Sequence, residues 1–241
     1  MQNLGDYLSV VVACHYRKLM VPVAKPSYAS CPKRTLYAIG SILGFRCQDA
    51  VVWGSGLLSP RKNILNRIKF SKLDIRSVRG PKTRDVLLGQ GKNCPEIYGD
   101  PAILMPEIYR PKNTQKIHAV SLVLHYANKC AFSVPESINI VDIVTSDYQG
   151  FIDQIVQSSL VISSSLHGII LAESYGVPAV LMLKEGIDLF KYLDWYYSTG
   201  RYDVVIAHTL QEAMAVEPMP LPDLQEMREQ LRNAFPVDLW K

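Results

Sequence analysis

Residues 163–179 read Ser-Ser-Ser-Leu-His-Gly-Ile-Ile-Leu-Ala-Glu-Ser-Tyr-Gly-Val-Pro-Ala. They lie between two apolar runs, residues 159–162 and 179–183, each of a length typical of a buried strand. Between these runs, apolar residues recur at helical spacing: Leu166, Ile169, Ile170, Leu171 and Tyr175. The pattern therefore predicts a strand, a helix that begins after the serines, and a second strand.

A serine cluster and one histidine fall where this strand ends and the helix begins. A helix N-terminus presents unpaired N–H groups and a partial positive charge, and both favour anion binding. Ser164 or Ser165 is predicted to cap the helix, and His167 lies in its first turn. A phosphate-binding junction beside a titratable side chain indicates an enzyme rather than a scaffold; a capped helix with a core histidine is the structural alternative.

The composition narrows the class of protein. The chain has 241 residues, 48% of them hydrophobic, so it is long and apolar enough for one large domain or two of about 100–120 residues. Its formal net charge of +4 fits a small anionic substrate, and no nucleic-acid-binding motif accompanies it. The five cysteines form no Cys-x-x-Cys pair, which argues against a disulfide framework and a structural zinc site.

No signal peptide and no apolar run of about 18 residues is present in the sequence. We therefore expect a cytoplasmic protein, for which peripheral contact with a membrane is compatible.

Strand-like and helix-like segments alternate along the chain, which is typical of α/β folds with parallel sheets. The polar, proline-bearing residues 106–115 interrupt this alternation and predict a linker. We therefore predict two Rossmann-like domains, residues 1–112 and 113–241, whose parallel sheets face a cleft. The second domain is expected to end in an amphipathic helix. Because open α/β sheets bind ligands beyond the carboxyl ends of their strands, the site should lie there.

Arg79 is a candidate ligand-binding residue because it follows a predicted strand and precedes a helix that Pro81 opens. Its guanidinium could bind a carboxylate or phosphate through two hydrogen bonds. For the other cations of residues 61–84, a solvated basic face is the preferred interpretation.

Other polar residues also fall next to predicted elements. His125 follows the strand predicted over residues 117–124, where ligand contact and simple packing are nearly equal alternatives. Asn3 and Asp6 precede the first predicted helix, and Asp6 is alternatively an N-cap.

In chain order, several short motifs resemble the polysaccharide pyruvyl transferase family. They are Asn3-Leu4-Gly5-Asp6, Val52-Trp53-Gly54-Ser55-Gly56, Val78-Arg79-Gly80-Pro81, Gly99-Asp100-Pro101-Ala102, His125-Tyr126, and Ser164-Ser165-Leu166-His167-Gly168 followed by Tyr175-Gly176-Val177-Pro178. The resemblance spans nearly the whole chain. It implies transfer of pyruvate from phosphoenolpyruvate onto two sugar hydroxyls as a cyclic ketal, on a fold similar to two-domain B-type glycosyltransferases.

The resemblance associates the donor site with Arg79 and His167, which are expected to converge across the cleft. We expect His167 to be the general acid and base, since the pKa of histidine lies near neutrality. Arg79 would hold the carboxylate or phosphate of the donor, and Ser164 and Ser165 would hold phosphate oxygens. Three residues would line the acceptor side of the cleft: Asn3, Asp6 and His125. Phosphoenolpyruvate is the donor substrate, and we expect neither a metal nor a cofactor.

The chain departs from the family pattern at two points. Many members carry arginine where Ser165 stands, so another donor group replaces that guanidinium or the donor is held differently. Members usually also have a strand before the Asn3–Asp6 turn, which indicates a first domain without its first strand or a misassigned start.

Two alternative functions stay open. Residues 172–178 resemble the donor-ribose segment of B-type glycosyltransferases, in which Glu173 would bind ribose hydroxyls of a nucleotide sugar. A non-catalytic saccharide-binding relative is the other alternative. The acceptor sugar, and whether it is linked to a lipid, do not follow from the sequence.

Overall fold

The computed structural model of this chain describes residues 3–17, 34–44, 49–125 and 134–240. Within these ranges every strand pairs in parallel, in one sheet of three strands and one of five. Helices follow strands along most of the chain, which confirms the predicted α/β class with parallel sheets. None of the helices in these ranges combines the length and apolar character that crossing a membrane requires.

The elements of the described residues are these. The helices are α1 (Leu4–Arg17), α2 (Lys62–Phe70), α3 (Pro81–Gly89), α4 (Met105–Ile108), α5 (Tyr148–Val156), α6 (Leu166–Ser174), α7 (Phe190–Ser198), α8 (Leu210–Ala215) and α9 (Gln225–Asn233). The strands are β1 (Thr35–Tyr37), β2 (Asp49–Trp53), β3 (Lys72–Ser77), β4 (His118–Val123), β5 (Asn139–Ile140), β6 (Ser158–Ser163), β7 (Ala179–Met182) and β8 (Ile206–Ala207).

The chain divides into two compact units, each built from three segments. Unit 1 comprises Met1–Leu8, Ala102–Ile187 and Asp203–Asp223, and unit 2 comprises Ser9–Pro101, Asp188–Tyr202 and Leu224–Lys241. Unit 1 contains the five-stranded sheet and unit 2 the three-stranded sheet. The compact units describe the folded chain, whereas the predicted boundary between residues 112 and 113 describes domains that fold independently. That boundary therefore stays a prediction.

The sheet of unit 1 has the strand order β5-β4-β6-β7-β8. Its core is apolar side chains of neighbouring strands, with Leu122, Ile162 and Met182 wholly buried. Helix α5 begins at a side-chain cap, in which Asp147 accepts a hydrogen bond from the Gly150 N–H. The strand–helix–strand pattern predicted around residues 163–179 is confirmed as β6, α6 and β7.

The sheet of unit 2 has the order β1-β2-β3, and α9 docks against it at Trp53. The indole Nε1 of Trp53 donates to the carbonyl oxygen of Leu231 at 2.8 Å, and the Phe235 ring packs edge-on with its centroid 4.9 Å from that of Trp53. Leu231 is fully buried. The predicted amphipathic last helix is thus present, and it belongs to the unit that holds the first three strands.

Several elements differ from the sequence prediction. Helix α2 was not predicted, α4 overlaps the start of the stretch predicted as a linker, and α1 begins at Leu4, so that Asp6 lies inside this helix rather than before it. The described cysteines, Cys14 and Cys94, are free thiols. Tyr126 and the remaining cysteines lie outside the described residues.

Candidate active site

In unit 1, the carboxyl ends of β4 and β6 lie side by side and bring two predicted site residues together. Val123 and Ser163 are register partners in the parallel pair. The Ser164 N–H donates to the Val123 carbonyl at 3.1 Å, and the Ser164 hydroxyl accepts a hydrogen bond from the His125 N–H at 2.8 Å. The strand-end placement predicted for both residues is therefore what the structure shows, while their roles stay predictions.

Ser163, Ser164 and Ser165 make different hydrogen bonds, and the sequence alone did not distinguish them. The hydroxyl of Ser163 accepts from the Ser165 N–H at 3.0 Å and lies 2.9 Å from the Val123 carbonyl oxygen. Ser165 occupies the N-cap position of α6, but its side chain makes no capping hydrogen bond. Ser165 is thus the N-cap residue, as predicted, but its hydroxyl does not bond the helix N–H groups, and the Ser163 hydroxyl holds the turn before the helix.

Gly168 lets the first turn of α6 approach the end of β6 closely. A Cβ atom at this position would overlap the Ser163 hydroxyl and would lie 3.0 Å from Val123 Cγ1. His167 precedes this glycine, so the close packing determines where its imidazole is held.

His167 packs against the turn that begins α1. A Cβ atom at Gly5 would overlap the imidazole carbon Cε1 and nitrogen Nδ1, so only a glycine leaves room for the ring. The turn is held in place by Asn3 Oδ1, which accepts from the Gly5 N–H at 3.0 Å, and by the Leu4 N–H, which donates to the Ile143 carbonyl at 2.9 Å. Asn3, and not Asp6, is therefore the residue whose side chain caps α1.

Asp6 lies in the first turn of α1 and is electrostatically coupled to His167. Desolvation by the surrounding protein raises the pKa of the Asp6 carboxyl, and the charge of His167 acts in the opposite direction. Sequence reasoning named both residues but did not pair them, because they are distant in the chain. A carboxyl group and an imidazole held close together can act as a pair in proton transfer.

Arg79 belongs to unit 2, where it is wholly buried. Its Nε donates to Asp194 Oδ2 at 3.1 Å, its Nη1 to Ser41 Oγ at 2.7 Å, and its Nη2 to the Leu57 carbonyl at 2.7 Å. Asp194 balances its charge, and all three nitrogens have partners in the protein, while its role toward a ligand stays a prediction.

Two glycines make this burial possible. A Cβ atom at Gly56 would lie 2.6 Å from Arg79 Nη2, and one at Gly80 would overlap the carbonyl oxygen of Asp194. The turn around Gly56 thus admits the Arg79 side chain.

Sequence reasoning missed Asp194, which lies on α7 and is wholly buried. One oxygen accepts from the Thr83 N–H at 2.9 Å, and the other from the Thr83 hydroxyl at 2.7 Å, in addition to Arg79. The available signal was an aspartate inside a helix rich in aromatic residues. A carboxylate buried among such residues needs a charged partner. On α6, Glu173 is 6% exposed, so its carboxyl is not displayed at a surface.

Within the described ranges, no three His, Cys, Asp or Glu side chains are grouped so that they could hold a metal ion. The expectation of a reaction without a metal stays an expectation.

Comparison with known proteins matches much of the chain to one family. The family model described as polysaccharide pyruvyl transferase matches residues 28–183, which is more than half of the chain. The match includes Arg79, His125 and the Ser163–His167 junction.

Two relatives are similar over part of their length. The chain is 33% identical over 132 residues to the succinoglycan biosynthesis protein ExoV of Rhizobium meliloti (strain 1021). The aligned region covers 53% of this chain and 41% of that protein. The chain is also 30% identical over 159 residues to an uncharacterized protein of Acanthamoeba polyphaga mimivirus. This aligned region covers 63% of the chain and 54% of that protein. The chain thus spans about half the length of the curated relatives it matches.

Proposed function

The chain belongs to the polysaccharide pyruvyl transferase family, and on this premise we propose that it transfers pyruvate from phosphoenolpyruvate to a sugar of an exopolysaccharide or other cell-surface glycan, as a cyclic ketal. The observation that carries the proposal is the coupling of His167 to Asp6 beside the N-terminus of α6. This arrangement provides a proton donor and acceptor next to a position suited to a phosphate.

The proposed reaction removes two protons from the sugar hydroxyls and adds two, one to the methylene carbon of phosphoenolpyruvate and one to the leaving phosphate. A proton is added to the methylene carbon, while one sugar hydroxyl forms a bond to the central carbon and loses its proton. The second hydroxyl then bonds to the same carbon and loses its proton, while the bond from that carbon to the phosphate oxygen breaks and the departing phosphate takes up a proton. The products are the cyclic ketal and inorganic phosphate, so the reaction balances without an oxidant or reductant.

His167 would supply and take these protons, because the pKa of an imidazole lies near neutral pH. The Gly5 backbone, packed against the ring, would hold the imidazole in one orientation.

Other residues have roles in the proposal that rest on the resemblance and on their position. Ser164 and Ser165 would contact phosphate oxygens at the start of α6, where N–H groups favour an anion. Asn3 and His125 would contact the acceptor. Arg79 enters as a donor-binding residue from the resemblance alone, since its contacts in the structure are internal.

The same resemblance implies two domains around a cleft as in B-type glycosyltransferases, a cytoplasmic location, and peripheral contact with a membrane if the acceptor is lipid-linked. These features remain part of the proposal.

The test is the release of inorganic phosphate from phosphoenolpyruvate in the presence of saccharide acceptors. We expect His167→Ala to lower turnover by roughly 10²- to 10⁴-fold, the usual contribution of a general acid–base residue. The thermal unfolding midpoint should change little, because His167 is only partly buried. The matched control is His118→Ala, at the opposite end of β4, which should keep normal turnover. Normal turnover in His167→Ala would contradict the assignment.

Titration calorimetry separates the alternatives. Binding of UDP- or GDP-sugars without binding of phosphoenolpyruvate would support a glycosyltransferase. Binding of phosphoenolpyruvate without phosphate release across a panel of saccharides would support a non-catalytic relative.

A further inference from the structure

Unit 2 holds a lysine whose charge no carboxylate of the described residues balances. Lys191 lies in the first turn of α7 and is partly buried, with its Nζ 4.7 Å from the centroid of the Tyr192 ring. It takes part in none of the ion pairs formed among the described residues. A partly buried ammonium without a counter-ion is unfavourable, and a bound anion would relieve that cost.

Lys191 shares a helix face with Asp194, which contacts the buried Arg79. It is three residues before Asp194, so the two side chains lie on the same face of α7. Asp194 contacts Arg79 directly, and the positive charge of Arg79 acts on Lys191. Asp194 is already engaged with Arg79 and Thr83. The carboxylate on this helix face is therefore already bound, and the positive charge of Arg79 opposes that of Lys191.

The other charged groups around α7 do not change this balance. On α3, Lys82 lies over the rings of Phe190 and Tyr197, with its Nζ 5.4 and 5.5 Å from their centroids. Asp188, just before the helix, accepts from the Phe190 N–H at 2.9 Å and has Arg61 and Lys82 as its cationic neighbours. The surroundings are thus cationic overall, as expected of a position that binds an anion.

The strand ends of unit 2 place Arg79 where α/β sheets bind ligands. Arg79 follows β3, and its hydrogen-bond partners Ser41 and Leu57 follow β1 and β2. Ligands of open parallel sheets bind beyond these carboxyl ends. The charge that acts on Lys191 therefore lies at the ligand-binding edge of the unit 2 sheet.

We propose that Lys191 is a further cation by which unit 2 binds a carboxylate or phosphate group of a ligand, in addition to the role that the resemblance gives Arg79. Phosphoenolpyruvate carries both groups and is the ligand expected if the proposed function holds. The inference rests on that function only for the identity of the ligand.

Titration calorimetry on the full chain tests the site, with phosphoenolpyruvate, inorganic phosphate and pyruvate as separate probes. Lys191→Met should weaken the binding of phosphoenolpyruvate by roughly 10- to 100-fold, as expected for the loss of a charged hydrogen bond. Lys191→Arg should retain most of the affinity. The matched control is Lys69→Met, which removes an exposed lysine over another aromatic ring, 5.9 Å from the Phe70 centroid, and should leave binding unchanged.

The pH dependence gives a second measurement that a merely structural role would not produce. Burial, and then Arg79, lower the pKa of Lys191 to about 8. The affinity should therefore fall as the pH rises above about 8, where the ammonium loses its charge. The donor itself does not titrate there, since phosphate groups complete their ionisation near pH 6. In Lys191→Arg the profile should be flat over this range, because a guanidinium stays charged.

The outcomes separate this inference from the proposed function. If the wild type binds phosphoenolpyruvate and Lys191→Met binds it equally well, the inference is overturned. If the wild type binds phosphate or pyruvate but not phosphoenolpyruvate, the proposed function fails. In that case, weaker binding of the same phosphate or pyruvate by Lys191→Met still supports the anion site. Binding of none of the three anions overturns the site. If Lys191→Met is unfolded by circular dichroism, the pH profile of Lys191→Arg decides, and a fall like that of the wild type overturns the inference.

Discussion

Two glycines determine where the side chains of His167 and Arg79 lie in this protein. Gly5 makes room for the His167 ring, and Gly56 makes room for the Arg79 guanidinium. In both cases a single added carbon would overlap or crowd the functional side chain. The positions of His167 and Arg79 therefore depend on residues that carry no chemistry of their own.

The buried pair of Arg79 and Asp194 gives a prediction about stability. Arg79→Met should destabilise the protein by about 3–5 kcal/mol, because it leaves the Asp194 carboxylate buried without its cation. The control is Arg76→Met, since Arg76 bonds Asp74 and Asp238 near the surface, and its loss should cost less than about 1 kcal/mol.

Urea unfolding followed by circular dichroism measures both Arg79→Met and Arg76→Met. If Arg79→Met unfolds like the wild type and instead raises the KM for phosphoenolpyruvate, the guanidinium serves the donor and not the fold.

At the level of whole elements, the packing of α3 against α7 carries both the Arg79–Asp194 pair and Lys191. The contact is unusually close, because Gly80 lies directly against the Asp194 carbonyl oxygen. Backbone φ at Gly80 is −166°, which any residue adopts, so the need for glycine here is one of space alone.

This close approach predicts that Gly80→Ala separates the two helices. The expected loss of stability is roughly 1–3 kcal/mol, the usual range for overpacking a tight contact. Gly89→Ala is the matched control, since no atom lies within 4 Å of a Cβ placed there and alanine favours the helix. Urea unfolding compares the two, and equal stability of both variants would contradict the packing argument.

The elements also differ in how well the sequence predicted them. Helix α6 was predicted because its apolar residues recur at helical spacing next to two apolar runs. Helix α2 was missed because its few apolar residues, among them the buried Ile68, lie among exposed cations that were interpreted as a solvated face.

On the scale of the whole molecule, unit 2 is assembled from residues far apart in the chain. Its sheet comes from the N-terminal half, whereas α7 and α9 come from the C-terminal half. Asp194 and Leu231, which complete the surroundings of Arg79 and Trp53, both follow residue 112.

The predicted first domain is therefore a test of this assembly. A fragment of residues 1–112 would lack Asp194, Leu231 and Phe235, so that Arg79 and Trp53 lose their buried partners. We expect it not to fold, with no dispersed NMR amide signals and no cooperative thermal transition, while the full chain shows both. A cooperatively folded fragment would support the domain boundary predicted from the sequence.

Local pattern was sufficient for part of this protein. The spacing of apolar residues predicts the parallel α/β class and the junction at His167, because periodicity records which face of an element is buried. The partners of buried charges follow only from the folded chain, since Arg79 finds Asp194, and Asp6 meets His167, across long stretches of sequence. Lys191 likewise gains its meaning only in the structure, where the carboxylate on its own helix face is already bound to Arg79 and Thr83.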